Sequence, residues 1–148
     1  MAHYRKIRGL LLAKPLEASP HPPGPRPTGT KLLGLTYERK VARALGGRHG
    51  QWFYFEDENG PGCCQTDLLL RGWIVEVKLT DTREAEGQLR DLYLPVVTLA
   101  LGGTWRPLKV VKHLAPWSTY VVGSRREASG LPPALLPTLQ WTGLGRIP

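Results

Sequence analysis

The chain has 148 residues, 41% of them hydrophobic, two cysteines and a formal net charge of +8. That length suits one domain with one core; the adjacent Cys63 and Cys64 make no disulfide framework, and no apolar run approaches the roughly 20 residues that cross a bilayer. The charge is uneven: residues 1–50 carry ten Lys/Arg against only Glu17 and Glu38, whereas residues 51–148 carry ten bases and ten acids, which favours an anionic partner such as nucleic acid over a membrane surface.

Residues 1–30 read as a basic, Pro-rich N-terminal arm, with Pro15, Pro20, Pro22, Pro23, Pro25 and Pro27 keeping the chain extended. Within it, residues 5–13 are basic and then apolar, like the start of a signal peptide, but Lys14 ends the apolar part too soon. Residues 4–14 are expected to form a short strand or helix that docks on the body. That body is expected to span residues 31–125, followed by a loop-rich tail, 126–148, with Pro132, Pro133 and Pro137.

Residues 35–45 predict a helix, with Leu35, Val41, Ala42 and Leu45 as its apolar stripe and Gly46-Gly47 as its stop. The aromatic run 51–55 predicts a strand, and Asn59-Gly60-Pro61-Gly62 a turn. Residues 64–70 and 73–79 predict two further strands joined at Arg71-Gly72. Residues 82–101 predict a long helix, bent or divided at Pro95. Residues 108–111 and 118–122 predict two strands. The order is helix, three strands, helix, strand, an α/β arrangement with a mixed central sheet flanked by helices.

The chemistry is concentrated in Asp67-Leu-Leu-Leu-Arg-Gly-Trp-Ile-Val-Glu76-Val-Lys78. Side chains alternate along a strand, so Glu76 and Lys78 share a face while Val75 and Val77 take the other. Burying an acid and an amine in an apolar strand is costly without a task or a partner. If the hairpin sets Asp67 beside Glu76, two carboxylates and an ammonium converge. Such a group can hold a divalent cation, a water and a phosphate, the requirements of phosphodiester hydrolysis. Lys78 then suits electrostatic stabilisation of the phosphate. Glu38 is the one acid of the 35–45 helix, amid Arg39, Lys40 and Arg43, and reaches the cation if that helix crosses the sheet. Taken singly, each of these residues also fits a plain surface ion pair. His49 and His113 lack metal-ligand spacing and read as surface or packing residues, as do the cysteines.

A helix carrying Glu, strands carrying Asp and Glu-x-Lys, then a helix and a strand, together resemble the PD-(D/E)XK nuclease superfamily over residues 31–111. Gly34-Leu-Thr-Tyr-Glu38-Arg39 followed by Asp67 and Glu76-Val-Lys78 is most similar to the archaeal-type Holliday-junction resolvases, and the small size resembles phage-encoded members. The resemblance implies a restriction-endonuclease-like core of order αβββαβ and an endonuclease using Mg²⁺, or Mn²⁺ in its place. It implies Asp67, Glu76 and the main-chain carbonyl of Val77 as metal ligands, Lys78 as catalytic and Glu38 as an accessory acid. It further implies DNA, branched DNA in particular, as substrate and a homodimer with one active site per strand; the lack of a disulfide framework makes a reducing cytoplasm the default location, the host cytoplasm for a phage-encoded member. Thr66 stands where the superfamily's name places Pro. Gln88 and Tyr93 resemble the Gln-and-Tyr helix of the RecB-like exonuclease branch, at a spacing one residue too long.

Lys31, Arg39, Lys40, Arg43 and Arg48 are the expected phosphate contacts. Neutralising about five phosphates gives a slope of about −4.5 for log K against log salt. An exonuclease or nicking enzyme of the same superfamily is an alternative, as is a non-catalytic nucleic-acid-binding module with a decayed nuclease core.

Overall fold

The structure is a computed structural model that describes residues 4–79, 83–111, 118–122, 139–142 and 145–146. Asp81, His113 and the three tail prolines lie outside the described residues. The element order is β1 (Leu12–Leu16), α1 (Gly29–Leu45), β2 (Arg48–His49), β3 (Trp52–Asp57), β4 (Gly60–Gln65), β5 (Leu68–Leu70) and β6 (Trp73–Lys78). Then follow α2 (Arg83–Gln88), a π-helical turn (Leu89–Tyr93), α3 (Leu94–Leu101), β7 (Arg106–Val111), β8 (Ser118–Val122), β9 (Leu139–Thr142) and β10 (Gly145–Arg146).

The strands form two sheets of mixed α/β architecture. One is antiparallel with three strands in the order β1-β3-β4, and the other has seven in the order β10-β9-β8-β7-β6-β5-β2. In the larger sheet, β5 and β6 are antiparallel, and β6 and β7 are parallel across the helical crossover. A parallel strand under helices is buried on both faces, which is why β6 is apolar almost throughout.

One face of the large sheet packs against α1. Tyr37 and Val41 meet Leu68, Leu70, Trp73, Val75, Val77, Leu108 and Val110 there. The other face carries Leu69 and Ile74, packed with Leu89, Leu92, Tyr93, Val96 and Val97 and with Phe53, Phe55 and Cys64 of the small sheet. Gly46 and Gly47 end α1 at φ of 74° and 91°, where a side chain is strained. A Cβ on Gly47 would lie 2.5 Å from the Leu69 carbonyl oxygen, so this glycine lets the helix end close onto β5.

Several sequence expectations need correction. The predicted 64–70 strand is two strands in different sheets, β4 ending at Gln65 and β5 starting at Leu68. The aromatic strand and its partner therefore belong to the small sheet rather than continuing the central one. The helix expected at 35–45 begins at Gly29. Within the 1–30 segment the expected docked element is a strand, placed at Leu12–Leu16 rather than within 4–14, and it pairs antiparallel with β3 at the sheet edge. An edge position tolerates Pro15, whose missing N–H costs no ladder bond on the open side. The tail is not all loop, since β9 runs parallel beside β8 and β10 folds back on β9.

The second helical stretch is divided near Pro95 by a change of helix type, α2 and the π-helical turn ending at Tyr93 and α3 opening at Leu94. The Leu94 N–H reaches back five residues to the Leu89 carbonyl, the π-helical pattern, and Pro95 stands in the first turn of α3. A proline there leaves the carbonyl of Asp91, four residues back, without its helical donor. The Ile7 N–H supplies one at 3.0 Å, and the Tyr4 hydroxyl donates to the Asp91 carboxylate at 2.8 Å. The start of the chain is thus docked by a backbone need that Pro95 creates.

Candidate active site

Extending the β5–β6 register of Leu68 opposite Val75 puts Asp67 opposite Glu76. Residues directly opposite in an antiparallel pair share a face. Asp67 accepts the Val77 N–H at 2.8 Å, so the last rung of the hairpin is made by a carboxylate instead of a carbonyl. Thr66, fully buried and next to Asp67 in the chain, is held by Gln51: its N–H and hydroxyl both donate to the Gln51 carbonyl, at 3.0 and 3.3 Å. A proline at 66 would lose the first of these bonds. Asp67 is therefore fixed at the joint where the chain leaves the small sheet for the large one.

Asp67, Glu76, Val77, Lys78, Glu38 and Lys31 line one cleft of about 370 Å³, with Pro27, Gly34, Leu35 and Leu79 completing it. Glu38 reaches it from α1, where its carboxyl and that of Asp67 each shift the other. Glu38 also contacts His49, Nε2 to Oε2 at 2.6 Å. The Lys78 ammonium lies 3.4 Å from Glu76 Oε1. Glu76 is 3% exposed, and its second oxygen, Oε2, is buried without a hydrogen-bond partner.

The electrostatics follow from that crowding. Burial pushes the Asp67 carboxyl up to about 8, helped by the hydrogen bond to Glu38 and by the Glu38 charge, and the Val77 N–H only partly offsets them. Glu76 is raised well above the usual carboxylate range, by burial first and then by the Asp67 charge, with Lys78 opposing. Burial also raises Glu38, against its hydrogen bond to Asp67. Three acids that resist ionising together form a site short of positive charge.

A hard divalent cation fits that need. Mg²⁺ takes one or two carboxylates with water and substrate oxygens, and Asp67, Glu76 and the Val77 main chain offer oxygen donors on one wall. The unpartnered Glu76 Oε2 is the atom a cation would satisfy. Among the described residues, no three His, Cys, Asp or Glu side chains are gathered tightly enough to hold a metal as they stand. The donors would have to draw together on binding, as mutually repelling carboxylates do.

Of the expected phosphate contacts, Lys31 lines the cleft, whereas Arg39, Lys40, Arg43 and Arg48 are exposed outside its lining. Arg48 donates to the Gln51 side chain at 3.2 Å. Two residues near the site, His49 and Lys109, were not singled out as site groups by sequence, and Tyr93 entered only through its resemblance to the RecB-like helix. His49 braces Glu38, but it sits on a two-residue strand too short to leave a pattern. Lys109 is 1% exposed on β7, directly beside Glu76, with its ammonium 3.0 Å from Glu86. Tyr93 is raised by burial and then by the charges of Glu76 and Asp67, so it stands near the acids. Gln88 donates to its hydroxyl at 2.8 Å. The π-helical turn brings residues five apart onto one face and so absorbs the extra residue of their spacing.

Comparison with protein-family models, curated proteins and solved structures yields no match. Among the described residues, no helix is long and apolar enough to cross a membrane.

Proposed function

We propose that the protein is a metal-dependent nuclease of the PD-(D/E)XK type that hydrolyses DNA phosphodiester bonds, with branched DNA as the favoured substrate and a homodimer as the working form. The observation that carries this reading is the convergence of Asp67, Glu76, Glu38 and Lys78 on one cleft, with the carboxyls held above their usual range and one Glu76 oxygen unpartnered. Asp67 and Glu76, with the Val77 carbonyl, are the groups to hold Mg²⁺ or Mn²⁺. When bound, such a cation lowers the pKa of a coordinated water and offsets charge on the phosphate.

The side chains divide the remaining work. Lys78, held beside Glu76, is placed to stabilise negative charge developing on the phosphate. Glu38, braced by His49, orients groups at the Asp67 end of the cleft. Lys31 at the rim and the exposed Arg39, Lys40 and Arg43 of α1 supply phosphate contacts that set affinity and register.

The test is incubation of the protein with a labelled four-way junction and with linear duplex, with and without Mg²⁺. Paired symmetric nicks at the junction that require the metal support the reading. Equal cutting of both substrates removes the branched-DNA part. Undiminished cutting by a Glu76→Ala variant would falsify the site assignment.

A further inference from the structure

A second cavity, of about 450 Å³, opens between the small sheet and the helical layer. Its walls include Trp52 and Phe55 of β3, Tyr4, His21 of the segment joining β1 to α1, and Tyr93. His21 meets Trp52 edge-on, with ring centroids 5.3 Å apart. Gln65 and Gln88 add amide groups to the lining. The size lies within the range of small-molecule sites, and mixed aromatic and amide walls suit a flat heteroaromatic ligand.

Its position relates it to the acid cleft. Gln65, in its wall, precedes Asp67 by two residues, across the joint that Thr66 fixes. Tyr93, also in its wall, feels the charges of Glu76 and Asp67. Glu76 shares a sheet face with Ile74, which packs in the same layer as Leu92 and Tyr93. The two cavities therefore lie near one another: Gln65 of one wall is two residues from Asp67 of the other, and Tyr93 packs in the layer that covers the Glu76 side of the sheet.

We infer that this cavity is a nucleobase pocket: it takes one unstacked base of a nucleic-acid strand whose neighbouring phosphate lies in the acid cleft. The inference rests on the nuclease reading for its substrate. Every base has a π-face, so aromatic walls hold it without choosing sequence, and the amides at the wall meet its polar edge. Extruding a base costs unstacking energy, which is least at a junction, a mismatch or a single strand. The pocket thus gives the enzyme a preference for distorted or unpaired DNA that the phosphate contacts alone do not provide.

The experiment measures equilibrium binding of a fluorescent single-stranded DNA hexamer to the full chain in chelator, so that cutting plays no part. Each base is replaced in turn by an abasic sugar, which keeps the backbone charge. The expected result is a loss of about tenfold at one position, the scale of one base–aromatic stack. Trp52→Ala and His21→Ala should each weaken the intact hexamer and flatten the abasic scan. His21 is exposed, so its variant keeps the body folded if Trp52→Ala does not. A flat scan in the unaltered protein overturns the pocket, as does a positional dependence that survives both substitutions. Metal-dependent cutting with a flat scan removes the pocket alone. A positive scan without any cutting in Mg²⁺ removes the nuclease reading and leaves the pocket.

Discussion

Asp57 and Asp67 are ten residues apart, and their environments are opposite. Asp57 closes the β3–β4 hairpin of the small sheet. Burial raises its pKa, but the Arg8 N–H, the Arg5 guanidinium and the Asn59 N–H outweigh that and hold it below the usual carboxylate range. Asp67 accepts one backbone N–H and faces two other acids, and it is pushed up to about 8. Burial alone therefore does not decide which way a carboxyl shifts; the count of donors against neighbouring acids does. The small sheet satisfies its acid from within the chain, whereas the acids of the large sheet are held above their usual range, the charge deficit that the proposed cation would offset.

The largest effect expected concerns activity. Asp67→Ala and Glu76→Ala should each lower cleavage by at least about 10³-fold while leaving DNA affinity within a few-fold, and Asp57→Ala should act on cleavage only through folding. Rates and binding measured on the same three variants test this, and a catalytic loss confined to Asp57→Ala would reverse the comparison.

Next is stability. Asp57→Ala should lower the denaturation midpoint strongly and expose residues 4–10 to protease, since Arg5 and Arg8 lose their anchor. Asp67→Asn should instead raise metal-free stability, on the order of 1–2 kcal/mol, because it removes the acid that resists ionising. Denaturant unfolding of both variants checks the opposite signs.

The pH dependence divides the two sites in the same way. An unfolded Asp titrates near 4. Asp67 is raised in the folded chain, so between about pH 4 and 8 the unfolded state gives up the proton first, and this group's contribution to stability falls as pH rises through that window. Asp57 is lowered, so its contribution is present above pH 4 and is lost on acidification below it. Added Mg²⁺ should flatten the upper slope and leave the acid limb unchanged, as thermal melts over pH 3–9 would show. The smallest effect is that of Lys31→Ala, which should reduce the salt slope of DNA binding by about 1 without altering base preference.

How legible all this was depends on the element. Glu76 and Lys78 could be read from alternation on one strand, and Asp67 from the hairpin that sets it opposite Glu76. Glu38 could be singled out as the one acid of its helix, but whether it reaches the cleft could not be read, because helical period alone does not say which sheet edge a helix end reaches. The break at Thr66 was hidden, since the polar Gln65-Thr66-Asp67 carries no Gly or Pro to mark a change of sheet. Lys109 was hidden for a different reason: within a strand, a lysine reads as a solvent-facing residue, yet β7 runs parallel beside β6 and is covered on the side where Lys109 points. The added strands β9 and β10 left little trace because they are short and follow a proline-rich stretch.

The hydrogen bond from Ile7 to Asp91 carries a consequence for anyone remodelling this chain. Exchanging the opening segment for an unrelated leader would strip the helix of its borrowed donor and of the Tyr4 hydroxyl on the Asp91 side chain. A trimmed or chimeric protein could then keep every acid in place and still work poorly, its fault lying in a distant splint rather than in the chemistry.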